Sequence, residues 1–79
     1  MKIEIRLFAS LAPYGKTSLI SPQGTMECQS QVTVADLIDT LAVPREEIKL
    51  VFVNGKHVGL DSKIKEGDRI GIFPPVGGG

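Results

Sequence analysis

The sequence predicts an α+β domain: a mixed sheet of four to five strands covered on one face by one main helix. Three observations carry this. Short segments of alternating or continuous apolar residues lie near both ends of the chain and read as strands. One amphipathic stretch, Val34 to Leu41, has helical spacing. Asn54-Gly55 between two apolar runs is a hairpin signal. The resulting order is strand, strand, helix, strand, short strand, strand, and a single helix can cover only one face of such a sheet.

Ile3, Ile5 and Leu7 alternate with Lys2, Glu4 and Arg6, which predicts a half-buried strand running to Phe8. Ser10 to Ser21 contains Pro13 and Gly15 and is followed by Pro22, so it reads as a connection with at most one helical turn at Ser10-Leu11-Ala12. A weaker strand is expected over Thr25 to Gln29, with Met26 and Cys28 on one face. Thr33 is a natural helix N-cap. Asp36 stands where a capping-box Glu or Gln is usual, so the box is expected to be imperfect. Val32 and Leu37 form a hydrophobic-staple pair, and Pro44 should stop the helix near Ala42 or Val43. Lys49 to Val53 is the next strand and Lys56-His57-Val58 returns antiparallel to it. Gly67 turns the chain into a last strand, Asp68 to Phe73.

The chain of 79 residues reads as one domain, 1–73, followed by a tail, 74–79. A domain of this size buries roughly 60 to 65% of its unfolded surface, enough for a single core. Nine Lys and Arg balance nine Asp and Glu, which argues against a nucleic-acid footprint or a membrane-surface segment. No apolar run approaches the roughly 20 residues of a membrane span. The alternating charges of the first six residues do not fit a signal peptide, and a single cysteine does not suit a disulfide scaffold. The expected location is the cytoplasm.

Internal catalysis finds little material. His57 is the only histidine and falls in a hairpin, where a solvated residue is expected. Cys28 has apolar neighbours and reads as a buried structural thiol. The two give no metal-ligand cluster. Asp36 and Asp39 read as solvated helix carboxylates, and Glu46-Glu47 as part of a turn. No glycine-rich loop opens a helix that could hold phosphate. No catalytic residue, metal or cofactor is expected.

The remaining unusual feature is Pro74-Pro75-Val76-Gly77-Gly78-Gly79. The diproline should direct the tail away from the domain, and glycine suits a channel too narrow for a Cβ. The other reading is a flexible end, but no serine-rich linker separates the glycines from the fold. A second feature adjoins it. With Val51, Val53, Ile70 and Ile72 facing the helix, Leu50, Phe52 and Phe73 face the other side. They form either a partner surface or a patch covered by the Ser10–Ser21 connection.

Val53-Asn54-Gly55, Glu66-Gly67-Asp68 and Ile72-Phe73-Pro74-Pro75-Val76-Gly77-Gly78-Gly79 resemble a ThiS/MoaD-type sulfur carrier of the ubiquitin-like β-grasp superfamily. Within that family, Phe-Pro-Pro-Val before the glycines is most similar to the small subunit of molybdopterin synthase. The resemblance implies a non-catalytic carrier, monomeric when free. A partner E1-like enzyme would adenylate Gly79, and sulfur would then convert it to a thiocarboxylate. Gly78 and Gly77 would be required for activation. Phe73, Pro74, Pro75 and Val76, with Phe52 and Leu50, would contact partners. The acceptor would be a large sulfur-transfer subunit or, if the chain is a thiamine carrier, a thiazole synthase. A ubiquitin-like modifier, with Gly79 joined to a lysine, would use the same tail.

Overall fold

In the computed structural model, which describes residues 1–75, five strands are ordered β2-β1-β5-β3-β4 across one sheet. Their ranges are Lys2–Leu7 (β1), Thr25–Glu27 (β2), Leu50–Val53 (β3), Lys56–Val58 (β4) and Arg69–Phe73 (β5). The first and last strands run parallel at the centre, with Ile5 opposite Ile70 and Leu7 opposite Ile72. The other pairings are antiparallel. A parallel pair needs a long crossover, and here the crossover comprises everything between β1 and β5.

The inward residues meet one helix, α1, spanning Val34–Thr40. Ile3, Ile5, Val51, Ile70 and Ile72 from the sheet pack in one cluster with Val34, Leu37 and Ile38. Ile72, Val34, Ile38 and Leu11 are completely excluded from solvent. Val53 is half-buried against the same cluster.

Two turns of helix are marginal alone, so the ends of α1 matter. Thr33 Oγ1 accepts from the Asp36 N–H at 3.2 Å, and Asp36 Oδ2 accepts from the Thr33 N–H at 2.8 Å. The capping box is therefore complete, contrary to the expectation for an aspartate. Thr33 has the extended conformation usual at an N-cap (φ −103°, ψ 170°). The N–H groups of Val34 and Ala35 donate to the carbonyls of Ser62 and Leu60. At the other end, Val43 N–H reaches the Ile38 carbonyl and Ala42 N–H that of Asp39, with Ala42 at φ 59°. This is a Schellman termination with alanine in the left-handed position that glycine favours. It stops the helix at Thr40, before Pro44 could act.

Other boundaries also differ from expectation. The single turn expected at Ser10–Ala12 is a seven-residue 3-10 helix, Ala9–Gly15, with Pro13 inside it and Leu11 anchored in the core. Glu46 and Glu47 lie in a short 3-10 turn, Arg45–Glu47. β1 stops at Leu7 and β2 at Glu27, but Met1 and Cys28 extend that pairing by exchanging hydrogen bonds in both directions.

Asn54 and Gly55 both have positive φ (53° and 83°), giving the primed turn that suits a two-residue hairpin. Asn54 is also bound to Asp68, the buried charged side chain among the described residues. Asn54 Nδ2 donates to Asp68 Oδ1 at 2.9 Å, and the Lys65 N–H donates to Asp68 Oδ2 at 2.7 Å. The Arg69 N–H returns to Asn54 Oδ1 at 3.0 Å. The β3–β4 turn is thereby tied to the start of β5.

Two stability measurements follow. Ala42→Gly should stabilise the fold by about 0.5–1 kcal/mol, because relief of the left-handed alanine exceeds the added unfolded-state entropy. Asp68→Ala should cost about 2–3 kcal/mol and Asn54→Ala about 1–2 kcal/mol. A double-mutant cycle by urea unfolding should show the pair to be non-additive.

Candidate functional site

Alternation places the site on the sheet face opposite α1. With Ile3, Ile5 and Leu7 inward, Glu4 and Arg6 point outward, and Phe8 follows in the same parity. Ile70 and Ile72 inward leave Arg69, Gly71 and Phe73 outward, and Val51 and Val53 inward leave Leu50 and Phe52. The register sets Gly71 between Arg6 and Phe52, and Leu50 opposite Phe73.

The aromatic rings gather over Gly71. Phe8 and Phe73 stack with centroids 4.3 Å apart and planes 4° from parallel. Phe52 meets Phe73 edge-on at 5.6 Å and 87°. A Cβ at residue 71 would lie 3.3 Å from both the Phe73 and Phe8 rings, so glycine lets them settle on the backbone. The result is a shallow hollow of about 300 Å³ with the three phenylalanines as walls and Glu4, Arg6 and Arg69 on its rim. Phe8 remains 38% exposed, so the face is open to solvent. No residue of the Ser10–Ser21 connection lines the hollow, and Leu11 points into the core instead. On the rim, Arg69 Nε pairs with Glu4 Oε2 at 3.2 Å; both side chains are too exposed for the pair to stabilise the fold much.

The base of the tail joins this face. The Phe73 carbonyl accepts from the Lys49 N–H at 2.8 Å, the last rung between β3 and β5. Pro74 and Pro75 have no N–H, so the ladder cannot continue through them. Pro74 is half-buried and Pro75 exposed. Val76, Gly77, Gly78 and Gly79 lie outside the described residues.

The structure thus brings Leu50, Phe52 and Phe73 to one face, with Pro74 following Phe73 in the chain. Phe8 and Gly71 belong to the same site but were not expected there. Their parity with Arg6 and with Phe73 was visible in the sequence; the placement of β5 between β1 and β3, which brings them together, was not.

The other candidates are dispersed. His57 is exposed in β4 at one edge of the sheet, with its ring 5.8 Å from Phe52. Cys28 follows β2 at the opposite edge and is half-buried rather than buried. Asp36 is engaged in the helix cap, and Asp39 pairs with Arg45 at 2.9 Å. Among the described residues no group of three His, Cys, Asp or Glu side chains is placed to hold a metal ion. No helix among them is long and apolar enough to cross a membrane.

A five-stranded mixed sheet grasping one helix, with first and last strands parallel at its centre, defines a ubiquitin-like β-grasp domain. More narrowly, the chain belongs to the Mut7-C ubiquitin family, whose model matches residues 1–77. Solved structures agree on the fold. A putative molybdopterin converting factor subunit 1 from Pyrococcus furiosus is 24% identical with a TM-score of 0.71, covering 95% of this chain and 98% of that one. SAMP1 from Haloferax volcanii is 24% identical with a TM-score of 0.67 over the whole of both chains. Another structure of that organism's small archaeal modifier protein 1 is 26% identical, with a TM-score of 0.63 over 95% of this chain and 98% of that one. No curated protein matches the chain.

Burial, the largest influence on Cys28, pushes its thiol pKa up, and the nearby N-terminal ammonium opposes this only in part. Less thiolate is therefore present at neutral pH than in a free cysteine. Alkylation by iodoacetamide should be slower than for a model thiol at pH 7, with its rate rising to higher pH than the model's. Intact mass against time measures it.

Proposed function

We propose that this domain is a sulfur carrier whose Gly79 carboxylate is activated by a partner enzyme and converted to a thiocarboxylate. The observation that carries the reading is the continuity of the aromatic face with the tail: Phe73 is both a wall of the hollow and the residue before the diproline. Such a face can dock a partner while the tail reaches away from it. Exposed aromatic clusters of this kind are usual anchors of protein interfaces.

In the chemistry proposed, an oxygen of the Gly79 carboxylate attacks the α-phosphorus of ATP and pyrophosphate leaves. A hydrosulfide equivalent then attacks the acyl carbon of the adenylate and AMP leaves, giving the thiocarboxylate. These steps belong to an E1-like adenylating enzyme and its sulfur donor; this chain supplies the docking face and the acyl group. Gly77 and Gly78 offer no Cβ to a narrow channel. The acceptor we favour is a large sulfur-transfer subunit in molybdopterin synthesis, in the cytoplasm. The Phe-Pro-Pro-Val segment and the fold shared with the molybdopterin converting factor subunit support that choice. A second reading, conjugation of Gly79 to lysines, is favoured by the likeness to a small archaeal modifier protein.

The test incubates the chain, confirmed by intact mass to end at Gly79, with an adenylating enzyme, ATP and a sulfur donor. The expected product is heavier by the difference between sulfur and oxygen, and deletion of Gly79 abolishes it. Absence of that species with the intact chain overturns the carrier reading. Ladders of lysine-linked conjugates that require Gly79 would establish the modifier reading in its place. Phe52→Asp should weaken docking about tenfold or more without unfolding the domain, as judged by titration of the adenylating enzyme and by circular dichroism.

A further inference from the structure

The Phe8–Phe73 pair is a near-parallel stack held at the end of the sheet's central parallel pair. Two phenylalanines left to themselves favour offset or edge-to-face arrangements, with centroids roughly 4.5–7 Å apart. These two lie at 4.3 Å and within 4° of parallel, on a sheet face open to water. The backbone places the two rings side by side. Phe8 N–H donates to the Ile72 carbonyl at 3.1 Å, which fixes Phe8 beside the end of β5. Gly71 then lets both rings settle, since a methyl group there would stand 3.3 Å from each.

Phe73 is consequently held from three directions. Its carbonyl is held by the Lys49 N–H, one ring face by Phe8, and the ring is met edge-on by Phe52. The next two residues are prolines, whose fixed φ removes one of the two soft backbone angles at each position.

We propose that Gly71 and Phe8 are positioning residues: by pinning Phe73 they set the direction in which Pro74-Pro75 carry the tail toward the activating enzyme's nucleotide site. This rests on the carrier reading above. The geometry gives the pin mechanical leverage. Two prolines make an extended arm of about 6 Å, so a tilt of about 10° at Phe73 moves its end by about 1 Å, a displacement that can cost a well-aligned reaction up to about a hundredfold. The expected loss is about tenfold. Docking and positioning are thereby separable. The exposed aromatic surface, Phe8 and Phe73 included, sets affinity, and the stacking of those two rings adds the aim of a docked chain.

Two variants loosen the pin by different routes. Phe8→Leu keeps an apolar contact but removes the stack, and Gly71→Ala keeps every aromatic ring but sets a methyl group 3.3 Å from both, to which they must yield slightly. In steady-state adenylation of the full chain, both should lower kcat about tenfold, and Gly71→Ala, which removes no ring from the docking face, should leave KM within about threefold. A raised KM with unchanged kcat would overturn the proposal, because the stack would then serve docking alone. Unchanged values for both parameters would overturn it as well. The isolated chain supplies a measurement that does not need the enzyme. The Gly71 α-protons should show ring-current shifts that collapse in Phe8→Leu. The Lys49 amide should exchange with solvent about tenfold faster in both variants, while the Val51 amide keeps its protection. If wild type is not adenylated, the carrier reading falls, and the exchange data still decide the pin: an unchanged Lys49 amide refutes it, and selective acceleration upholds it.

Discussion

The placement of β5 between β1 and β3 is the constraint on which the rest of the molecule depends. It puts Ile70 and Ile72 in the middle of the core and Gly71 and Phe73 in the middle of the opposite face. It also joins the two ends of the chain, because Glu4 to Leu7 pair in register with Arg69 to Ile72. The strand is secured at both ends. Asn54 and Asp68 hold its start, and the Lys49 N–H holds its last carbonyl. With β5 fixed, the helix has a complete sheet to cover and the aromatic residues have a common floor.

Much of this was legible in the sequence. Period-two alternation identified β1, β3 and β5 and the inward set of each. Helical spacing with Thr33 identified α1, and Asn54-Gly55 identified the hairpin. What resisted reading was decided by contacts distant in sequence or by local backbone geometry that composition does not announce. The helix ends at Thr40 because Ala42 adopts a left-handed conformation, which nothing about alanine advertises. Asp36 completes the capping box with its shorter side chain, accepting from the Thr33 N–H at 2.8 Å. The 3-10 helix over Ala9–Gly15 runs through Pro13, a residue that reads as a breaker, because Leu11 secures it in the core.

The candidate site was half legible for the same reason. Leu50, Phe52 and Phe73 share a face by strand parity alone, and parity can be counted in a sequence. Phe8 and Gly71 required knowledge of which strands are neighbours. Gly71 in particular resembles an ordinary weak point in a strand until its cross-strand partners are known. There it is the feature that admits two rings at van der Waals distance from the backbone.

The parallel pairing of the first and last strands has a consequence for the life of the molecule outside its native state. Contacts between β1 and β5 span nearly the whole chain, so they close late, and folding that depends on them is slow compared with a helical bundle of equal size. During synthesis, β1 must wait without its central neighbour until β5 has emerged. The aromatic floor does not exist before that moment, since its rings come from β1, β3 and β5 together. An incomplete or unfolded chain therefore lacks the assembled aromatic face, which exists only once all three strands are paired.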